Sequence, residues 1–274
     1  MLLKLKSTPE VPVEAPTICT DRFKKRNKSE IEKLSLHHGN REVSIADFFD
    51  ISGEYKGELK IQGDLSKFKL IGAGMSEGKI TIEGNVGMHL GVDMKGGEIT
   101  VEGNAGDWVA PRMSGGLLTI KGSAGHMVGS AFRGEKTGMT GGEIIVHGNS
   151  GNEIGGRMRG GVIAIGGDAG DFLGVDMHLG TIIVLGKTGI RQGAGMERGT
   201  IVCMNSMQPL PTFTFACSYH PLFIKNYLIR LQELGMKIDE DKINAVYERW
   251  SGDSIKLNRG ELLFINKKSG DKNE

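Results

Sequence analysis

Histidine and cysteine side chains are the residues of this sequence that could bind a transition metal or supply a nucleophile and its base. No histidine shares a metal-ligand spacing with a cysteine or a carboxylate. The three cysteines are far apart and odd in number, which excludes a disulfide framework and a CxxC metal clip. The serine and cysteine nucleophiles lack a nearby histidine and carboxylate, although a triad assembled in space stays open. The histidines and cysteines are His37, His38, His89, His126, His147, His178, His220, Cys19, Cys203 and Cys217.

Glycine-rich strings and recurring methionines are the other patterns with chemical potential. The GxG strings lack the strand-to-helix context of a dinucleotide or P-loop site, so we interpret them as turns. Methionines at a fixed spacing suit soft-metal binding, but a regular ladder of unbranched side chains is explained more simply as core filling. From the residues alone we predict a scaffold, with no catalytic, cofactor-binding or metal-binding residue on this chain.

Composition limits the class of protein and its surroundings. Glycine supplies 43 of 274 residues, about twice the usual ~7%, and 38 of the 43 lie between Ile51 and Met204. Collagen is excluded because no three-residue period exists, and abundant Ile, Val and Leu argue against disorder. With 34 basic and 33 acidic residues, nothing indicates binding to nucleic acid or an anionic membrane. No membrane span or signal peptide is recognisable, which predicts a cytoplasmic protein.

An internal repeat determines the expected architecture. Copies such as MKGGEITVEGNAG begin at successive methionines with spacings of 19, 19, 26, 19, 19 and 19 residues. A degenerate copy from Lys56 brings the total to about eight. The repeat methionines are Met75, Met94, Met113, Met139, Met158, Met177 and Met196.

Each copy contains one short strand closed by glycines, and stacked copies align apolar residues into ladders. Such coils bury their faces only against neighbouring coils, so we predict an all-β fold. It is a right-handed parallel β-helix of about eight 19-residue coils with a mixed α/β C-terminal extension. One ladder contains Ile80, Ile99, Leu118, Ile144, Ile163, Ile182 and Ile201; the second contains Ile82, Val101, Ile120, Val146, Ile165, Val184 and Cys203. A third wall contains Leu90, Val109, Val128, Ile154 and Leu173, and Gln192 interrupts it.

The corners of the repeat carry glycine followed by a small polar residue. Glycine is expected where the chain turns with positive φ, and Asn or Asp tolerates the same geometry and bonds to backbone. We therefore predict a stacked turn ladder rather than a binding site. The polar positions are Asn85, Asn104, Ser123, Asn149, Asp168 and Lys187. Opposite charges that precede the repeat methionines, such as Asp93 and Arg112, predict stacked ion pairs.

Two departures from the repeat provide candidate interface residues. Seven residues, Ala131 to Thr137, are inserted as a loop whose Arg133, Glu135 and Lys136 supply charge, although a tolerated surface insertion is the alternative. The outward strand position changes from threonine in the first copies to an apolar stripe of Ile145, Ala164, Ile183 and Val202. Monomers avoid such exposed stripes, so either the C-terminal region or another chain must cover it. The interface candidates are Arg133, Glu135, Lys136, Ile145, Ile183 and Val202.

The flanks differ from the repeat in composition, which predicts an N-terminal arm and cap (1–50), the β-helix (51–204) and a C-terminal extension (205–274). In the arm we expect a short helix at Ser29 to Leu34 and a strand at Val43 to Ile51. In the extension we expect an amphipathic helix between Pro221 and Gly235 and a second helix from Asp239 to Trp250. A closing strand at Gly260 to Ile265 and a frayed end, KKSGDKNE, complete the prediction.

The stacked GN-x-G and M-x-GG coils resemble the GXGXG β-helix domain of the C-terminal region of glutamate synthase and of the C subunit of formylmethanofuran dehydrogenase. The segments HHGNREVSIADFFDISG (37–53) and GSAFRGEKTGMTGG (129–142) resemble the lead-in and inserted loop of the latter. The tail with RWSGD and GELLF looks more like the version in the bacterial formyltransferase/hydrolase complex.

This resemblance implies a noncatalytic subunit that organises the others in a complex forming or hydrolysing formyl groups on a methanofuran-type carrier. It implies an amidohydrolase-like subunit that holds zinc, a formate-dehydrogenase-like subunit with tungsto- or molybdopterin in the archaeal enzyme, and a formyltransferase-like subunit. It transfers no catalytic residue to this chain. The alternatives are a stand-alone structural or ammonia-channel module of glutamate synthase type and an independent enzyme built on the β-helix groove.

Overall fold

The computed structural model describes residues 1–265 as a mostly β chain with one large, mostly parallel sheet, as in a β-helix. Its first elements are β1 (Leu2–Leu5), β2 (Val13–Glu14), α1 (Thr20–Phe23), α2 (Lys28–Glu32), β3 (Ser35–His38), β4 (Arg41–Ser44), α3 (Ile45–Phe48) and β5 (Phe49–Ser52). The repeat forms β6 (Glu58–Gln62), β7 (Phe68–Lys69), β8 (Lys79–Glu83), β9 (Glu98–Val101), β10 (Leu117–Ile120), β11 (Glu143–Val146), β12 (Arg159–Ile165), β13 (Leu179–Val184) and β14 (Arg198–Cys203). The extension forms β15 (Thr214–Tyr219), α4 (Leu222–Glu233), α5 (Glu240–Ile243), β16 (Tyr247–Gly252) and β17 (Arg259–Ile265).

The repeat strands pair in chain order and in one register. From β6 through β8 to β14 each strand is parallel to the next, so Ile80 is paired with Ile99 and Ile99 with Leu118. Both inward ladders and all seven repeat methionines are buried, with exposures of 0–1%. The predicted core is therefore confirmed, and each coil buries its apolar residues against its neighbours.

Two further columns complete the interior. Small residues at the second corner form single parallel bridges from coil to coil, as between Ala105 and Ala124. The predicted third wall is fully buried. Its interruption, Gln192, is also buried and uses its amide nitrogen to donate to Thr188 Oγ1 at 3.0 Å. A polar residue in this wall is thus tolerated because it is hydrogen-bonded.

The hydrogen-bonded turn ladder is confirmed, but the positive φ expected of the glycines before its polar residues is found only at Gly84. At Gly103, Gly122, Gly148, Gly167 and Gly186 glycine is required because a Cβ would clash with the preceding coil. Asn85 Oδ1 accepts from the backbone N–H of Asn104 at 2.9 Å, and Asn104 Oδ1 accepts from Ser123 at 2.8 Å. The pattern continues through Ser123, Asn149 and Asp168 to the N–H of Lys187. Each of these side chains therefore accepts a hydrogen bond from a backbone N–H of the next coil.

Both ends of the large sheet are built from the flanks. At one end β1 lies parallel to β6 and antiparallel to β5. At the other end β17 lies parallel to β14, and β16 and β15 follow as antiparallel strands. A smaller sheet contains β4, β3, β2 and β7 in that order.

Several flank predictions agree with the structure and two are wrong. The helices α2 and α4 and the strand β17 lie where the sequence predicts them. The helix predicted from Asp239 to Trp250 is reduced to α5, because residues 247–252 pair as β16 between β15 and β17. The strand predicted from Val43 to Ile51 is interrupted by α3, which begins with a capping box between Ser44 and Asp47. The predicted fraying of KKSGDKNE falls outside residues 1–265.

The apolar stripe on the outer face is covered by the chain's own extension. Ile145, Ala164, Ile183 and Val202 have exposures of 0–1% and form a second core with residues of α4, β16 and β17. Its other members include Ile224, Leu228, Leu231, Met236, Tyr247 and Leu263. The choice of Ile145, Ile183 and Val202 as interface candidates is therefore wrong, since their side chains are buried within one chain. Of the two coverings that the sequence leaves open, the C-terminal one is present.

Candidate functional site

The histidines are dispersed over the fold rather than gathered into a centre. Within residues 1–265 no three His, Cys, Asp or Glu side chains are grouped so that they could hold a metal ion. His38 packs edge-on against Phe48 at 5.3 Å, and His220 Nδ1 lies 3.1 Å from the carbonyl oxygen of Ala245. Burial raises the pKa of the Cys203 thiol to about 12, which removes it as a nucleophile at neutral pH.

His126 belongs to a second ladder that the sequence analysis missed. Its backbone N–H donates to Asp107 Oδ1 at 2.8 Å, and its Nδ1 accepts from the N–H of Asn152 at 2.9 Å. Asn152 and Asp171 continue the same pattern to Ile190. The sequence contains a signal for this column, because the residue after the second glycine of the GN-x-G motif is polar in four consecutive copies. His126 thus has a structural role equivalent to that of Asn or Asp.

The inserted loop is fixed to the coils by a network around Arg112. The guanidinium donates two hydrogen bonds to Asp93, both 2.7 Å, and a third of 2.6 Å to Glu135 Oε1. It also lies 4.9 Å from the ring centroid of Phe132. The bond to Asp93 raises the pKa of Arg112 and fixes its charge. The bidentate geometry makes this pair stronger than an ordinary surface ion pair.

The predicted interface residues of the loop differ in their surroundings. Glu135 is turned toward the coils, and its carbonyl oxygen also accepts from Arg157 Nη1 at 2.7 Å. Arg133 has a side chain that is 76% exposed and reaches Glu153 at 3.9 Å. Lys136 is exposed. The structure therefore presents Arg133 and Lys136 to solvent, while Glu135 holds the loop.

Two clefts flank the loop. One of about 210 Å³ lies between the loop and the next coil and is lined by Ser130, Phe132, Arg133 and Glu153, among others. A second, of about 420 Å³, is lined by His178 and by charged residues of both signs, including Glu135, Lys136, Arg157, Arg159 and Glu197.

An aromatic cluster supports the base of the loop. The ring of Phe132 lies 5.5 Å from that of His89 and 6.2 Å from that of Trp108. Burial lowers the pKa of His89, and the charge of Lys69 adds to the effect. The neutral imidazole therefore packs as part of an apolar surface that anchors the insertion.

No helix within residues 1–265 has the length and apolar character needed to cross a bilayer.

Comparison with known proteins places this architecture in a family. The family model described as the GXGXG motif matches residues 61–217. The C subunit of tungsten-containing formylmethanofuran dehydrogenase 2 from Methanococcus maripaludis is 46% identical over 252 residues, covering 89% of this chain and 93% of that protein. The protein of the same name from Methanothermobacter thermautotrophicus is 46% identical over 95 residues, which is 33% of this chain and only 35% of its own length.

A solved structure resembles the whole fold. A chain in the crystal structure of the formyltransferase/hydrolase complex (FhcABCD) from Methylorubrum extorquens in complex with methylofuran superposes with a TM-score of 0.89. The two chains are 31% identical, and the match covers 97% of this chain and 100% of the other. The chain thus belongs to the GXGXG family and, within it, to the group formed by the C subunits of formylmethanofuran dehydrogenases.

Proposed function

We propose that this chain is the noncatalytic, organising C subunit of a multisubunit complex that forms or hydrolyses formyl groups on a methanofuran-type carrier. The observation that carries the proposal is the superposition of nearly the whole chain on a chain of the FhcABCD complex. The proposed partners are an amidohydrolase-like, a formate-dehydrogenase-like and a formyltransferase-like subunit.

The proposal assigns zinc and a tungsto- or molybdopterin to those partner subunits. In keeping with this proposal, no three His, Cys, Asp or Glu side chains are grouped as metal ligands among the described residues 1–265. The ladder residues of the repeat are deeply buried, so their role in the proposal is to pack the coils together.

Two finer features are part of the proposal. A count of about eight turns is supported by the eight parallel strands β6 and β8–β14, which follow one another in chain order. Right-handedness rests on the general rule for crossovers between parallel strands of one sheet. A cytoplasmic location is supported by three free cysteines, of which Cys217 is exposed, because an oxidising compartment would favour their pairing.

Affinity purification of the tagged chain from its native cells tests the function. We expect amidohydrolase-like, formate-dehydrogenase-like and formyltransferase-like chains to co-purify with formylmethanofuran oxidation or hydrolysis. Oxidation together with a pterin metal would identify the dehydrogenase, and hydrolysis without it would identify the hydrolase complex. Recovery of the chain alone, or with amidotransferase and flavin proteins, would contradict the proposal.

We also propose that Arg133 and Lys136 contact a partner subunit from the rim of the loop. The variant Arg133→Glu with Lys136→Glu should weaken recovery of that partner, and more so at low salt, because exposed charges steer association. Lys187→Glu, on an exposed corner away from the loop, is the matched control. Equal recovery from both variants would assign the loop to the tolerated insertions.

A further inference from the structure

A groove on the outer face of the sheet runs beside α4, at the start of strands β12, β13, β14 and β17. Its floor is made by corner glycines such as Gly161, Gly180 and Gly199, and its volume is about 650 Å³. Phe223 and Tyr227 of α4 line it together with Arg198, Arg249 and Arg259. A Cβ at any of these three glycines would meet the methionine methyl of the preceding coil, so glycine is needed for coil stacking, while the outer backbone of the successive strands faces the groove.

Two of these arginines face each other with no acid of residues 1–265 paired to either one. Arg198 and Arg259 are register partners on the adjacent parallel strands β14 and β17. Strands are about 4.8 Å apart, and like charges directly opposite each other are destabilising. Both side chains are exposed, and within residues 1–265 neither makes a hydrogen bond or an ion pair.

The acid nearest to this pair in the groove is already engaged. Glu261 accepts from Arg249 Nε at 2.8 Å and from Thr200 Oγ1 at 2.7 Å. The charges that line the groove therefore sum to an excess of positive charge. The N-terminal half of the same sheet differs, since Lys79 pairs with Glu98 at 3.4 Å across neighbouring coils.

The composition of the groove indicates which kind of ligand it suits. Its cations are all arginine, whose planar fork binds carboxylates through two parallel hydrogen bonds, and none is lysine. Leu179 is 53% exposed and Phe223 is 38% exposed beside them. Arginine together with aromatic residues is typical of the energetically dominant centre of protein interfaces.

We propose that this groove binds an extended segment of a partner subunit that carries Asp or Glu carboxylates. The groove crosses four strands, a distance of about 14 Å, which an extended segment of four or five residues spans. The carboxylates bind Arg198 and Arg259, and apolar side chains of the segment pack on Leu179 and Phe223. The inference rests on the proposed function only in that partner subunits supply the segment.

Zero-length cross-linking of the assembled complex tests the contact directly. Carbodiimide joins lysine amines to carboxylates in contact and does not couple guanidinium groups, so Arg198→Lys and Arg259→Lys each add a reporter that keeps the charge. We expect a new cross-link, absent from wild type, between position 198 or 259 and an Asp or Glu of another subunit. Arg41→Lys, an exposed arginine at the other end of the molecule, is the matched control and should give no such cross-link.

Charge reversal supplies the second measurement. Arg198→Glu with Arg259→Glu should reduce recovery of the cross-linked partner by at least about tenfold, since interface arginines are frequent hot spots. Arg41→Glu should leave recovery unchanged. Thermal unfolding of the isolated variants establishes that the double variant is folded.

Each remaining result overturns one proposal or both. Cross-links only to Glu261, or to Asp271 or Glu274 of the same chain, would overturn the partner segment. So would full recovery of formylmethanofuran-active complex with the folded double variant, leaving the proposed function standing. If 10 mM inorganic phosphate raised the thermal unfolding temperature of wild type but not of the double variant, and no intermolecular cross-link formed, the groove would be a small-anion site. That result too would overturn the partner segment. A cross-linked partner from an unrelated complex would retain the groove and contradict the proposed function, and recovery of no partner would contradict both.

Discussion

Gly57 and Gly97 occupy equivalent corners, each directly before a strand in the same register, and both have positive φ, +90° and +78°. A Cβ on Gly97 would lie 2.8 Å from the backbone oxygen of Gly78, whereas a Cβ on Gly57 meets no atom of residues 1–265 within 4 Å. Gly57→Ala should therefore cost about 1 kcal/mol of unfolding free energy for backbone strain alone. Gly97→Ala should cost about 2–4 kcal/mol, because overpacking is added. Urea unfolding of both variants measures the difference, and equal losses would show that strain rather than coil stacking selects glycine.

His126 offers a test of whether a histidine in this fold is structural. Replacement by Ala removes the acceptor for the N–H of Asn152 and should lower the unfolding free energy by about 1 kcal/mol. Replacement by Asn supplies the acceptor found elsewhere in the same ladder and should stay within about 0.5 kcal/mol of wild type. Activity of the purified complex should be unchanged in His126→Asn. A large loss of activity in that stable variant would instead give the imidazole a chemical role.

At the scale of elements, Leu228 lies on the buried face of α4 and Leu222 lies on its exposed face. Leu228 is fully buried in the second core, while Leu222 is 78% exposed. Leu228→Ala should destabilise the extension by about 2–5 kcal/mol, whereas Leu222→Ala should change stability by less than about 0.5 kcal/mol. Limited proteolysis, read as the first cleavage within residues 205–265, compares the two variants. Equal resistance of both would argue that α4 contributes little to covering the stripe.

The sequence predicts those elements whose signals are local or periodic. The 19-residue period defines the ladders, and Pro221 and Gly235 define the limits of α4. The strand β16 carries no comparable signal, because residues 247–252 become a strand only through pairing with β15 and β17. Burial of the stripe likewise depends on a contact between distant segments. Matching the predicted apolar face of α4 to the stripe would have favoured the intramolecular covering, but periodicity alone does not state which surfaces meet.

At the scale of the whole molecule, stability should vary along the chain, because each coil of a solenoid contacts only its neighbours. The central strands β9 and β10 are paired on both sides within the large sheet. Among the described strands β15 lies at the edge and is paired with β16 alone, and five of its six residues are exposed. We therefore expect amides of β15 and α4 to exchange through openings of lower free energy than amides of β9 and β10.

Native-state hydrogen exchange in increasing urea, read by mass spectrometry, measures this gradient, and two variants locate its origin. Leu228→Ala should lower protection in α4, β15 and β16 while leaving β8 and β9 unchanged, because the second core lies against the coils from β10 onward. Gly97→Ala should lower protection in β8 and β9 first, since its added Cβ separates those two strands. A single opening free energy for all segments, shifted equally by both substitutions, would show instead that the coils and the extension unfold as one cooperative unit.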